Sequence, residues 1–112
     1  MNTHHLVIVF RTRLRPEVAG DPDLARELEL LGESMYEIAT GMPGFISYKD
    51  FAAADSEYVS IVEFDNAENL AAWRRHPEHL VAQRQGKEKF FEWYQIQVCR
   101  VERQYASPSP EL

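Results

Sequence analysis

Five consecutive apolar residues, Leu6-Val7-Ile8-Val9-Phe10, constrain this chain more than any other feature. The run is rich in β-branched residues and too short for a good helix, so it reads as the core of a strand from His4 to Leu14. Neighbouring side chains in a strand point to opposite faces, and a strand apolar on successive positions must therefore be covered on both. Any fold built on it needs one layer above this strand and another below.

The next segment of the chain supplies one of those layers. Pro16 and Gly20 punctuate a loop. Asp21-Pro22-Asp23 then offers a capping carboxylate, a proline at the first helical position and a further acid in the first turn. Leu24, Leu28, Leu31, Met35 and Ile38 recur at steps of four and three, one stripe on a helix of about five turns. Gly41 ends this helix and Pro43-Gly44 turns the chain out of it. Phe45 to Phe51 and Glu57 to Phe64 read as two strands joined around Ala54-Asp55-Ser56, an antiparallel hairpin. Asp65, with Glu68 three residues on, is close to a capping box and opens a short helix carrying Leu70 and Trp73. His76-Pro77 breaks that helix and opens another that runs to about Gly86. The aromatic cluster Phe90-Phe91-Glu92-Trp93-Tyr94 leads into a last strand, Gln95 to Arg103. Residues 106–112, polar and proline-bearing, are expected to form a disordered tail.

The order β-α-β-β-α(α)-β is the split β-α-β arrangement of a ferredoxin-like α+β fold, with an antiparallel sheet, helices on one face and a single domain over residues 1–105. The other face, with Val7, Val9, Ile61 and Val98, is left without cover. An apolar patch of that size predicts a homodimer packed sheet against sheet in an isologous contact. A chain of 112 residues is one domain and can bury a core without staples. The net charge of −6 argues against nucleic-acid and anionic-membrane partners. Arg11, Arg13 and Arg15 are interleaved with apolar residues and read as a solvated strand edge. Cys99, alone, forms no internal disulfide, and no apolar run is long enough to span a bilayer, so a cytoplasmic location is expected.

The side chains able to do chemistry concentrate between Trp73 and Gln83. His76 and His79 are the proton-transfer candidates, since histidine titrates near neutrality unaided. His79 and Gln83 lie four apart on one helix and share a face. Trp73, Phe64, Phe10, Phe90 and Tyr94 offer flat apolar walls, and Tyr36 or Tyr94 a hydroxyl donor. Each has a plainer role open to it: His76 as a helix cap, His79 as exposed helix surface, Trp73 as core. The His-Pro-Glu-His string lacks the zinc-protease spacing and has no third ligand nearby, so no metal site is expected.

Taken together, the Pro43-Gly44-Phe45 turn, the Val62-Glu63-Phe64 strand end, the segment Trp73-Arg74-x-His76-Pro77-Glu78-His79 and the closing Gln97-Val98-Cys99-x-Val101 strand resemble the antibiotic biosynthesis monooxygenase family of dimeric α+β barrels. Members include cofactor-independent oxygenases of polycyclic aromatics, quinol oxygenases and haem-degrading enzymes. The resemblance implies a monooxygenase that needs no cofactor and joins O2 to a small quinol or polycyclic aromatic. His76 and His79 would be its bases, with Trp73, Gln83, Phe64, Tyr94, Phe10 and Tyr36 holding the substrate. The haem-degrading branch carries an asparagine, a tryptophan and a haem-ligating histidine where this sequence has Thr12, Phe64 and Gln83. Two alternatives stay open: a haem-handling enzyme, and a non-catalytic dimer that binds a small ligand.

Overall fold

A computed structural model describes residues 5–107. Among them, β1 (Leu6–Leu14), β2 (Phe45–Ala52), β3 (Tyr58–Phe64) and β4 (Phe91–Arg100) form one sheet in the order β2-β3-β1-β4. Every pairing is antiparallel, which is the expected split β-α-β topology. The sheet is open, with β2 and β4 as its edges, and one chain does not close it into a barrel. Arg11, Arg13 and Arg15 were expected at a strand edge, yet β1 is a central strand. They are accommodated by partners instead: Arg11 grips Glu57 with two hydrogen bonds, at 2.5 and 3.1 Å, and Arg13 reaches Asp55. Arg15 donates to the carbonyls of Phe91 and Lys87.

The helical layer is α1 (Pro16–Ala19), α2 (Pro22–Thr40), α3 (Ala67–Arg74) and α4 (Pro77–Gln85), followed by a π-helical turn at Gly86–Phe90. The Pro16-to-Gly20 stretch, read as loop, winds into α1 because Val18 has a core site to fill and is 1% exposed. Asp21 caps α2 as expected, accepting from the amides of Asp23 and Leu24. Asn66 rather than Asp65 caps α3, accepting from Asn69 N at 2.9 Å. Asp65 is used one step earlier, taking a hydrogen bond from the Asn69 side chain against the Gly44 turn. The last strand starts at Phe91 and ends at Arg100, earlier than its sequence pattern predicted at both ends, because the aromatic cluster pairs directly with Arg13 and Leu14. Of the expected tail, residues 108–112 lie outside the described residues, as does His4.

Register decides which face each side chain serves. Ile8, Phe10, Thr12, Val62, Phe64 and Tyr48 turn toward the helices, and Ile8, Val62, Phe64, Ala39, Leu70 and Trp73 make the core. Val7, Val9, Val59 and Ile61 turn the other way. Val98 was expected on that outer face, but it lies opposite Ile8 and so points to the helical side, where it is exposed because no helix reaches β4 at that row.

Gly44 adopts a left-handed φ of 79°, and a Cβ placed on it would collide with the Asp65 carboxylate. Gly32, in the middle of α2, has nothing within 4 Å of the same position. Urea unfolding should therefore show opposite signs: Gly44→Ala loses about 3 kcal/mol, and Gly32→Ala gains up to about 1 kcal/mol. Equal effects at the two positions would contradict this reading of the turn.

Candidate functional site

Between the sheet and α2 lies a cavity of about 1140 Å³. It exists because α2 docks by one end only. Ala39 is fully buried and Met35 nearly so, whereas Leu24, Leu28 and Leu31, the first half of the expected stripe, are only half-buried. A residue with one methyl group lets the helix approach the sheet closely at Ala39, and the opposite end stands off. Leu28, Leu31 and Met35 then face Phe10, Thr12 and Ile96 across open space.

His79, Gln83, Trp73, Tyr94, Phe10 and Tyr36 all line this cavity. His76 and Phe64 are not among its lining residues. His76 serves as the N-cap of α4, its Nδ1 accepting from the Glu78 amide at 3.2 Å, a role that the following proline invites. Phe64 is completely buried and stacks on the far side of Trp73, with ring centroids 5.6 Å apart. It supports the wall without forming its surface.

Trp73 is the centre of this arrangement. Only 4% exposed, it touches Phe64, the Tyr48 ring at 6.0 Å and the His79 ring at 4.4 Å. Its indole N–H is buried with no hydrogen-bond partner, which costs about 1–3 kcal/mol and leaves a donor unused. His79 Nδ1 lies 3.3 Å from the Arg74 carbonyl and 3.0 Å from the Gln83 amide. A carbonyl can only accept, so Nδ1 carries the proton. The Gln83 amide suits the same tautomer once its oxygen and nitrogen exchange places. The lone pair is then on Nε2, as a general base requires.

Burial holds the His79 imidazole below its ordinary 6.5; the Arg74 carbonyl opposes this, and the Arg74 and His76 charges add to it. The ring is therefore neutral at pH 7. Tyr48 is pushed the other way, up to about 12, by burial and then by Asp50.

Thr12 and Arg74 also line the cavity, as do three groups that no motif in the sequence marks: Tyr48, Asp50 and Ser60. A bulge between Phe45 and Ser47 breaks the alternation of β2, so that Phe45 and Tyr48, three apart, face the same side. With that register known, Asp50 stands out as a carboxylate on the helix-facing side of a strand. Among the described residues no helix is long and apolar enough to cross a membrane.

Because the folded-state pKa of His79 lies below 6.5, the unfolded chain takes up a proton first as acid is added. The stability His79 contributes is full above pH 6.5 and is lost as the pH falls from there through the folded-state value. An NMR titration of the His79 ring should give a midpoint below 6.5, and a midpoint at or above it would contradict the buried placement.

A family model described as antibiotic biosynthesis monooxygenase matches residues 9–85. YqjZ of Bacillus subtilis (strain 168), an uncharacterized protein, is 31% identical over 72 residues, which are 64% of this chain and 63% of that protein. The chain thus spans less than two thirds of the length of this relative. SnoaB, a cofactor-independent oxygenase from Streptomyces nogalater crystallised as a point variant, superposes with a TM-score of 0.72 at 15% identity, over 94% of this chain and 98% of its own. A dimeric ferredoxin-like protein of unknown function from Thermobifida fusca does so with a TM-score of 0.68 at 14% identity, over 90% and 94%. At such identities the structural likeness is one of fold, and the match of the family model carries the assignment. By its sequence and its topology, this chain belongs to the antibiotic biosynthesis monooxygenase family.

Proposed function

We propose that the chain is a cofactor-independent monooxygenase that oxidises a small quinol or polycyclic aromatic with O2 in the cavity under α2, working as a homodimer. The observation that carries this reading is a neutral His79, held by Arg74 and Gln83 and packed against Trp73 in the wall of a largely apolar cavity. Family membership and the oxygenase activity of SnoaB support it.

The chemistry makes one demand of the protein. Ground-state O2 reacts slowly with closed-shell molecules, so the substrate must be offered as an electron-rich anion. Ionising half of a phenol of pKa near 10 at neutral pH takes about 4 kcal/mol. His79 Nε2 takes the proton from the substrate, and the charge of Arg74 favours the anion beside it. The anion passes one electron to O2, and the resulting radical pair joins to form a C–O bond and a peroxide. Loss of the proton on that carbon breaks the O–O bond, leaving a carbonyl and, after the proton on His79 returns, water. A CH2 group that becomes C=O gives up four electrons, and O2 accepts four. Phe10, Tyr36 and Tyr94 supply flat surfaces for the rings. His76 acts at one remove, by capping the helix that carries His79.

The homodimer is inferred from the outer sheet face. Val7, Val9, Val59 and Ile61 form its middle, with Phe51 45% and Trp93 39% exposed on the two edge strands. A second copy of the same face covers this patch by two-fold symmetry.

Oxygen uptake by the purified protein, treated with chelator and offered anthrones and naphthoquinols, tests the reading. Uptake should exceed autoxidation and fall by about a hundredfold or more in His79→Ala, as expected for loss of a general base. His76→Ala should change uptake far less while lowering stability by about 1 kcal/mol. Uptake no faster than autoxidation across the panel would overturn the assignment.

A further inference from the structure

We infer that Asp50 and Ser60 form a hydroxyl-recognition subsite in the same cavity, and that the aromatic bound there carries a neutral hydroxyl group remote from its reacting position. This subsite rests on the proposed role of the cavity and adds to it the polarity of the ligand.

Asp50 and Ser60 sit directly opposite each other on β2 and β3, and both line the cavity. Ser60 Oγ donates to Asp50 Oδ1 at 2.5 Å. That one bond leaves most of the acceptor capacity of the carboxylate unused, since an ionised carboxylate has about four lone-pair positions. Among the described residues no cation lies within ion-pair distance of Asp50. The ammonium of the adjacent Lys49 lies over the Phe51 ring instead, 5.7 Å from its centre. An acceptor-only group in the wall of an aromatic-lined cavity selects a ligand that donates, and it repels a carboxylate.

Register gives the spacing. Asp50 and Ser60 share a row across the sheet with Phe10, and Tyr48 and Val62 form the neighbouring row, where Tyr48 meets Trp73. A two-residue step along a strand is about 7 Å, and from the Tyr48 row the path to His79 runs over the Trp73 ring, 6.0 Å from Tyr48 and 4.4 Å from His79. A fused aromatic can bridge that gap, with the position that ionises at His79 and a hydroxyl at Asp50. The two ends differ in charge: Arg74 favours an anion near His79, whereas the carboxylate of Asp50 repels one and accepts from a neutral hydroxyl.

The test is anaerobic binding of 2,6-dihydroxynaphthalene and 2,6-dimethoxynaphthalene, followed by quenching of tryptophan fluorescence in the wild-type protein, Asp50→Ala and Ser60→Ala. Asp50 is exposed on an edge strand, so its variant should fold, which circular dichroism checks. Asp50→Ala should weaken the dihydroxy compound roughly ten- to a hundredfold, as for a hydrogen bond to a charged group, and leave the dimethoxy compound within about twofold. Ser60→Ala keeps the carboxylate and should weaken the dihydroxy compound only several-fold. Asp50→Ala affecting both compounds alike, or neither, overturns the inference, as does failure of the wild type to bind the dihydroxy compound. Selective loss in Asp50→Ala without oxygen uptake by the wild type would sink the oxygenase assignment and leave this subsite standing. Uptake without selective loss would do the reverse.

Discussion

The packing of Trp73 against Phe64 and His79 is the contact on which the rest of the molecule depends. Trp73 is the last core residue of α3, and its burial anchors that helix to the end of β3 through Phe64. A buried aromatic of this size contributes about 3–5 kcal/mol, a large share of the net stability of a small domain. The imidazole of His79 also packs on it, with ring centroids 4.4 Å apart, and this contact ties α4 to α3. A single side chain thus does two tasks. It closes the core on one side and presents the working wall of the cavity on the other.

The cavity itself arises because α2 meets the sheet closely at Ala39 and less closely toward its start. Ala39 permits close approach at the end of α2, and Trp73, Leu70 and Phe64 fill the space beside it. Toward the start of α2 the sheet carries Thr12, Ser60 and Phe10, and these do not fill the gap beneath Leu28 and Leu31. At the far end the chain is held by other means. Arg15 reaches the carbonyls of Phe91 and Lys87, and Lys89 pairs with Glu27 of α2. Gly86 is buried against the Phe91 ring, where a Cβ would come within 2.7 Å of it, so the π-helical turn can tuck beneath the start of β4.

Much of the fold was legible in the sequence because its elements announce themselves locally. The Asp21-Pro22-Asp23 start, the leucine stripe and the His76-Pro77 break each fix a boundary by chemistry confined to a few residues. The errors share one cause, which is that tertiary contacts decided them. Val18 winds a loop into a helical turn by finding a core site, and Asp65 gives up the cap to Asn66 because it faces Gly44. Val98 changes face because its register with Ile8 is set by the whole of β1 and β4. At the site, the helix spacing that put His79 beside Gln83 is a local rule, and the hydrogen bond between them obeys it. For Asp50 and Ser60 a local rule goes only half way. Each stands five residues from Asp55 in the hairpin turn, which sets them opposite each other, but the bulge between Phe45 and Ser47 hides from the alternation of β2 that their shared face is the helical one.

The central claim is that an aromatic ligand lies between the sheet and α2, against His79 and Trp73. The most direct test is to record NOEs between the ring protons of bound 2,6-dihydroxynaphthalene and the protein. The expected result is contacts to the His79 imidazole, Trp73 and Tyr48, together with the methyl group of Met35 on α2. Contacts confined to Val7, Val9 and Ile61 on the opposite face, or to Leu80 on the outside of α4, would place the ligand elsewhere and contradict the claim.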